Sequence, residues 1–518
     1  MAVLLAAGLL VPVAVVPAAA QTPPPVDYDV DDDGLIEISS LAQLNAIRWD
    51  LDGDGAADVY PPSRDGRTGH DPDGAAKLSA AFPNAATDMG CPADGCDGYE
   101  LAADLDFDTN GSGTADSGDE FWNGGKGWVP LIGGEAIYGW EAELRFEDAA
   151  APKVYGDSPH SRARMFTAVF EGNGRTIANL YIDDPNRWLV GLFGAIGPGA
   201  HVRNFGLSAP NADSRVRGNE YVGPLAGQVQ GGRVTQGGRV SGVWSGVDVS
   251  GSVRVGGLVG VVAHHSFVIE SYAVGDVSGN REVGGLVGLL NYSGVAASYA
   301  AGDVSGSRHV GGLAGLRPDG HARATYATGS VTRTQGAPLR WADGFGGLIG
   351  SLWHAYTAGW PRASYATGQV SVPDGVAAGG LMGECLYSDR PRAEGGNYWD
   401  TEATGLATSP GCGVGYTTAQ LQAPTGYEGI YADWDVDVDV GANYGWAFLG
   451  PGDDPWDFGS SSEYPVLKYC ADKPGIDTAD GLPFCPLQPW RQRGQPAPVS
   501  PVGVDYDVDG DGLVEVSS

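Results

Sequence analysis

Apolar positions in this chain fall in short β-branched and aromatic runs separated by Gly, Asp, Asn and Ser, and no repeat unit holds ten residues of helical spacing. This patterning predicts strands of about five residues joined by tight turns. The runs also recur. Val255-Gly-Gly-Leu-Val-Gly260 returns at Val283, Val310, Phe345 and Ala378, with a degenerate forerunner at Val222, in steps of 33, 28, 27, 35 and 33 residues. A second element keeps phase with it: Tyr272, Tyr299, Tyr326 and Tyr365 each follow Ser or Thr and precede Ala. A fixed period of this size marks a solenoid, and each unit has room for the two or three strands of one parallel β-helix coil. Propeller blades need about 40 residues or more, longer than the shortest units. Glycine pairs are expected to let the chain turn tightly and let coils approach where a Cβ would clash. Leu258, Leu286, Leu313, Leu348 and Leu381 are expected to stack as one internal ladder and the tyrosines as another.

The ends depart from this pattern. Residues Met1 to Ala20 form an apolar run closing on three alanines, which reads as an export leader. No later stretch approaches the length of a membrane helix. Leu41 to Trp49 reads as a short helix capped by Ser39 or Ser40 and placed to plug the open end of the stack. The chain thus divides into a leader (1–20), acidic loops and capping helix (21–98), leading coils (99–221) and repeat coils (222–395). A closing segment (396–485), a Pro-rich linker (486–503) and the start of a second acidic-loop module (504–518) follow.

The Gly-Gly-Leu-x-Gly units resemble the GLUG-motif repeats of bacterial secreted and surface proteins. Tyr99 to Phe107, Phe170 to Tyr181, Asn397-Tyr-Trp-Asp400 and Tyr464-Pro-Val-Leu467 are similar to the segments that bracket such repeats. The resemblance covers roughly residues 26 to 470. It implies an all-β, right-handed parallel β-helix, placed outside the cell, with an adhesin-like role.

Acidic loops change the picture further. Asp29, Asp31, Asp33 and Glu37 occupy positions one, three, five and nine of a loop with Gly34 at six, the spacing of a calcium loop. The pattern repeats at Asp50, Asp52, Asp54 and Asp58, and again at Asp507, Asp509, Asp511 and Glu515. A weaker version runs Asp106, Asp108, Asn110, Gly111. Alternate oxygens can converge on one Ca2+ ion, and the glycine permits the sharp turn. Position twelve holds Ser40, Pro61 and Ser518, so position nine closes the site. Without a cation such loops would repel themselves.

Composition agrees. Glycine supplies 83 of 518 residues without a triplet period, which excludes collagen, and 42% hydrophobic content excludes a disordered chain. A net charge of -34 disfavours nucleic acid and favours cations. Six cysteines fit an oxidising compartment, with Cys91 and Cys96, Cys385 and Cys412, and Cys470 and Cys485 as local candidates among 15 pairings.

Motifs for catalysis are sparse. His-Glu-x-x-His, Gly-x-Ser-x-Gly and the phosphate-binding Gly-x-x-x-x-Gly-Lys-Ser/Thr do not occur, and His264-His265 reads as a surface turn. Asp276 and Asp303 stand in equivalent sites one coil apart, as turn residues would. The expectation is a non-enzymatic extracellular module whose partner is a glycan or protein; the alternative is a polysaccharide lyase or hydrolase on a β-helix. Val504 to Ser518 repeats Val26 to Ser40 with three changes, which suggests a piece of a longer protein of tandem modules.

Overall fold

The computed structural model describes residues 25–58, 73–86, 89–93, 95–132, 165–231, 237–334, 343–352, 361–385, 396–410, 413–423, 426–434, 455–459 and 462–468. The leader, the linker, the third acidic loop with Asp507, Asp509, Asp511 and Glu515, and Cys412, Cys470 and Cys485 lie outside these residues.

The chain winds through parallel sheets. One described sheet stacks seven strands from Tyr181–Asp183 to Val370–Ser371, and a second stacks seven from Trp188–Val190 to Ala378–Gly379. A third, larger sheet includes the long strands Val287–Ala300 and Ala314–Ala327. Successive repeat units pair in register: Val255 with Val283, Val283 with Val310, and Tyr299 with Tyr326. This mostly β arrangement of long parallel sheets is compatible with a β-helix or solenoid. It also contains a rung that the Gly-Gly-Leu-x-Gly pattern does not display, because Val190-Gly-Leu-Phe-Gly194 lacks one residue of the motif yet pairs with Val222 and Ala226. Leu192, Leu225, Leu258, Leu286, Leu348 and Leu381 are fully buried, and Leu313 is 1% exposed.

The chain bends at Gly257, Gly285, Gly312 and Gly347, each followed by the ladder Leu. None of the glycines at 256, 257, 260, 284, 285 or 288 has a positive φ, so what requires glycine at these bends is space. The left-handed residues are instead the bulky ones just before each Val: Tyr221, Arg254, Glu282 and His309, with φ from +51 to +59. A Cβ on Gly257, Gly285, Gly312 or Gly347 would stand 2.0 to 2.2 Å from a carbonyl oxygen of the next coil. Across the interior it would also stand 2.8 or 2.9 Å from Ala273, Ala300, Ala327 or Ala366, the alanines of the Ser/Thr-Tyr-Ala element. Gly260, Gly288 and Gly315 face the backbone of the left-handed residues Tyr221, Arg254 and Glu282 at 2.6 to 2.7 Å. The two recurring motifs are thus two sides of one close contact.

The Ser or Thr before each tyrosine has its own task. Two residues before the tyrosine the backbone turns left-handed, at Glu270, Ala297, Ala324 and Ala363. Such a kink interrupts the ladder, and the hydroxyl repairs it. Ser271 Oγ donates to its own Ile269 carbonyl at 2.7 Å and accepts the Val243 N–H at 3.2 Å, while Ser298 Oγ accepts the Ser271 N–H at 3.1 Å. The tyrosines themselves do not line the interior. Ala273 and Ala300 belong to the main core, so the adjacent Tyr272 and Tyr299 point to the opposite face. Their rings stack at 4.7 to 5.1 Å from Tyr272 to Tyr365. Trp434, Trp456, Phe458 and Tyr464 of the closing segment share this outer cluster, and Tyr365 Oη donates to the Pro465 carbonyl at 2.7 Å.

At the C-terminal edge, Thr404 O accepts from Val370 N, Thr408 O from Gly380 N, and Ser409 Oγ from Met382 N at 2.9 Å. At the other end, β1 (Leu35–Ile38) pairs with β2 (Gly98–Leu101), β2 with β3 (Val169–Glu171), and β3 with β4 (His201–Ser208). Helix α1 (Leu41–Ala46) follows β1, with Ser40 accepting the Gln43 N–H as its N-cap, and a 3-10 turn continues over Ile47–Trp49. Leu44 and Ile47 are buried in the same core as Tyr99 and Phe170. These elements place the acidic loops beside the first rungs.

Candidate metal centres

The first loop leaves Tyr28 and turns into β1. Asp29 is fully buried, and its carboxylate accepts the Asp33 N–H at 3.0 Å and the Gly34 N–H at 3.1 Å. Asp33 Oδ1 accepts the Leu35 N–H at 2.9 Å. The second loop repeats the plan. Asp50 is fully buried and accepts the Gly53 and Gly55 N–H groups at 3.0 Å each, and Asp54 Oδ1 accepts the Ala56 N–H at 2.9 Å. Gly34 and Gly55, at position six, have φ of +86° and +82°, the conformation for which glycine is needed. Cys91 and Cys96, close by the first loop, form a disulfide.

The carboxylates converge by threes. One oxygen each from Asp29, Asp31 and Asp33 lie within 4.8 Å of one another, and so do those of Asp50, Asp52 and Asp54. The acids at position nine turn to another partner: Glu37 Oε1 accepts the Val30 N–H at 2.8 Å, and Asp58 Oδ2 the Leu51 N–H at 2.7 Å. Two participants were not legible in the spacing. Tyr99 donates its hydroxyl to Asp50 Oδ2 at 2.6 Å, and Glu100 joins Asp31 and Glu37 in a third group of three. Both come from β2, Tyr99 lying 49 residues beyond Asp50 and Glu100 63 beyond Glu37, so no local spacing displays them.

The loops are electrostatically costly. Burial above all, with Asp58, Asp52 and Asp54 adding to it and the Tyr99 hydrogen bond opposing, pushes the Asp50 carboxyl well above the usual carboxylate range. Burial likewise raises Asp29, Glu37 and Glu100. A carboxyl with a raised folded-state pKa binds protons more tightly folded than unfolded, so its contribution to stability is lost as pH rises through that value. In chelator, the stability of the wild type minus that of Asp50→Asn is therefore expected to fall as pH rises above the ordinary carboxylate range, measured by thermal melts. A difference that grew with pH would contradict the burial of a repelled carboxylate.

The weaker fourth loop has a different frame from the one its first aspartate suggests. Asp108 takes the part of Asp29: it accepts from Ser112 N at 2.9 Å and Gly113 N at 2.8 Å, with Gly113 at φ +78°. Read from Asp108, positions three, five, nine and twelve hold Asn110, Ser112, Asp116 and Asp119. Here hydrogen bonds fill the loop, Asn110 Nδ2 meeting Asp116 Oδ1 at 2.9 Å, and no three of its acids converge among the described residues.

Candidates for catalysis resolve into local roles. Asp248, Asp276 and Asp303 each accept the backbone N–H of the next coil, at 2.7 to 2.9 Å, which is the work of turn residues. His264 and His265 lie in a bend with φ of +50° and +61°. His309 bridges Ser351 Oγ at 2.8 Å and Asp343 Oδ1 at 3.1 Å, but Ser351 is fully buried and its Oγ also accepts the Gly344 N–H. No substrate carbonyl reaches that oxygen in this conformation.

Comparison with known proteins adds two likenesses. No protein-family model matches the chain. Halomucin of Haloquadratum walsbyi (strain DSM 16790 / HBSQ001) is 30% identical over 174 residues, which are 34% of this chain and 1% of halomucin. A solved structure from Bacteroides ovatus, provisionally described as an immunoglobulin A1 protease, covers 72% of this chain and 85% of its own, at 16% identity and a TM-score of 0.38. So loose a likeness bears on neither fold nor activity; the parallel registers carry the fold.

Proposed function

We propose that this chain is a calcium-stabilised, right-handed parallel β-helix of the GLUG-repeat type that acts outside the cell as a non-enzymatic, adhesin-like interaction module. The supporting observation is the pair of buried carboxylates, Asp29 and Asp50, each held with two further aspartates at the N-terminal end of the stack. The donor set is all oxygen, which suits a hard divalent cation. Asp29, Asp31 and Asp33 would hold one Ca2+, and Asp50, Asp52 and Asp54 another, fixing α1 as a plug over the first rung. Asp507, Asp509, Asp511 and Glu515 share the spacing and would hold a further ion. Extracellular placement draws on the local likeness to halomucin and on the Cys91–Cys96 disulfide. Among the described residues no helix is long and apolar enough to cross a membrane.

The ligand is an extracellular glycan or protein. Arrays of both, probed in calcium and in chelator, test this: retained binding in calcium, lost in chelator, without release of new reducing ends from polysaccharides, is expected. Appearance of reducing ends or unsaturated sugars would replace the binding module by the lyase or hydrolase.

A further inference from the structure

A column of outward-facing side chains runs across the first rungs of the stack. Glu37 of β1 pairs in register with Glu100 of β2, Glu100 with Glu171 of β3, and Glu171 with Arg203 of β4. Neighbouring rungs in a sheet lie about 4.8 Å apart, so three carboxylates in a row repel one another strongly unless each is compensated. The third one is. Arg203 Nε stands 2.5 Å from Glu171 Oε2, and Asn204 Nδ2 donates to the same oxygen at 3.1 Å.

The first two carboxylates have no such cation. Among the described residues no ion pair joins Glu37 or Glu100 to a Lys or Arg. Glu100 is only 8% exposed, and its hydrogen bond is a single one, from Asn173 Nδ2 to Oε2 at 2.7 Å. Glu37 Oε1 accepts the Val30 N–H, but Glu37 Oε2 is buried and has no hydrogen-bond partner among the described residues. Leaving a charged oxygen in that state is among the more costly arrangements a fold can contain. Asp31 supplies a third carboxylate, and one oxygen of each of the three lies within 4.8 Å of the others. The N–H groups that reach the three, Val30 N on Glu37 Oε1 and Asn173 Nδ2 on Glu100 Oε2, leave Glu37 Oε2 uncompensated, and among the described residues no Lys or Arg pairs with Glu37 or Glu100.

We infer that Asp31, Glu37 and Glu100 form a second cation site of calcium type, sharing Asp31 with the loop and bridging that loop to the first rungs of the β stack. The inference rests on the calcium reading of the loops and extends it to a residue outside any loop motif. Three carboxylate oxygens suit a hard divalent ion that completes its shell with water or backbone oxygen. The bridge gives the ion a mechanical role: it ties β1, and through it α1, to β2, so that closure of the stack's first end depends on metal. The Asp29, Asp31 and Asp33 group alone would order only its own loop.

Calorimetric titration of CaCl2 into the metal-free full chain tests this. Glu100→Gln keeps the size of the side chain and the Asn173 hydrogen bond; it is expected to weaken one calcium-binding event about tenfold or more. Glu171→Gln, one rung further along the same column, is expected to leave the titration unchanged. Asp33→Asn, confined to the loop triad, is expected to retain the event that Glu100→Gln removes. A Glu100→Gln titration indistinguishable from wild type would overturn the bridge while leaving calcium in the loops. A wild type that takes up no calcium would overturn both readings together. Should Glu100→Gln fail to fold, Glu37→Gln reads the same site with the same expected loss.

Discussion

Gly285→Ala is expected to disrupt the repeat stack, at a cost of about 3 kcal/mol or more in urea unfolding. The added Cβ would stand 2.0 Å from the Gly312 carbonyl oxygen and 2.8 Å from the Ala300 Cβ. A carbonyl in a parallel ladder cannot swing aside as a flexible side chain can. Relief therefore requires two coils to separate, with loss of the ladder hydrogen bonds Leu286 N to Leu313 O and Gly285 N to Gly311 O. Gly174→Ala is the contrast. Gly174 has φ +71° and nothing within 4 Å of the position a Cβ would take, so only the conformational cost of about 1 kcal/mol applies. Equal costs at the two sites would mean that motif glycines serve backbone freedom and not coil contact.

That contrast also marks what the sequence could tell. The spacing of Val255, Val283, Val310, Phe345 and Ala378 was enough to place rungs in register, because each rung repeats one contact and the contact tolerates few residues. Two consequences of the third dimension were hidden. Tyr272 and its equivalents alternate with core alanines, and nothing local says which face the closing segment will cover with Trp434 and Trp456. The rung at Val190 was missed because a single deletion breaks the motif while leaving its pairing intact. In the acidic loops, alternation of acids with glycine at position six displayed Asp29, Asp31 and Asp33 and their second copy. Tyr99 and Glu100 are ordinary strand residues until β2 pairs with β1. The fourth loop was legible but misframed, since Asp106 offers an earlier start than Asp108.

Asp50→Ala is expected to remove the calcium response of the second loop. The carboxylate touches both sides of that loop: Gly53 and Gly55 inside it, and Tyr99 on the first rungs. Its replacement takes away a proposed calcium ligand and leaves the Gly53 and Gly55 N–H groups without their acceptor, while the Tyr99 hydroxyl keeps only the Asp50 backbone carbonyl at 3.1 Å. With calcium about 100-fold above its dissociation constant, one lost ion is worth about 2.7 kcal/mol. In chelator the same substitution should cost less, because it also relieves a buried carboxylate crowded by Asp52, Asp54 and Asp58. The difference between the two conditions isolates the metal. A cost as large in chelator as in calcium would make Asp50 a structural hydrogen-bond acceptor and nothing more.

Acidic loops at the first end of the stack are proposed to hold calcium, and the stack to depend on it. Thermal unfolding of the wild-type chain in millimolar calcium and in chelator tests it most directly. A melting temperature that rises with calcium and falls back when chelator is added is expected. A melting temperature that is the same in both would contradict it.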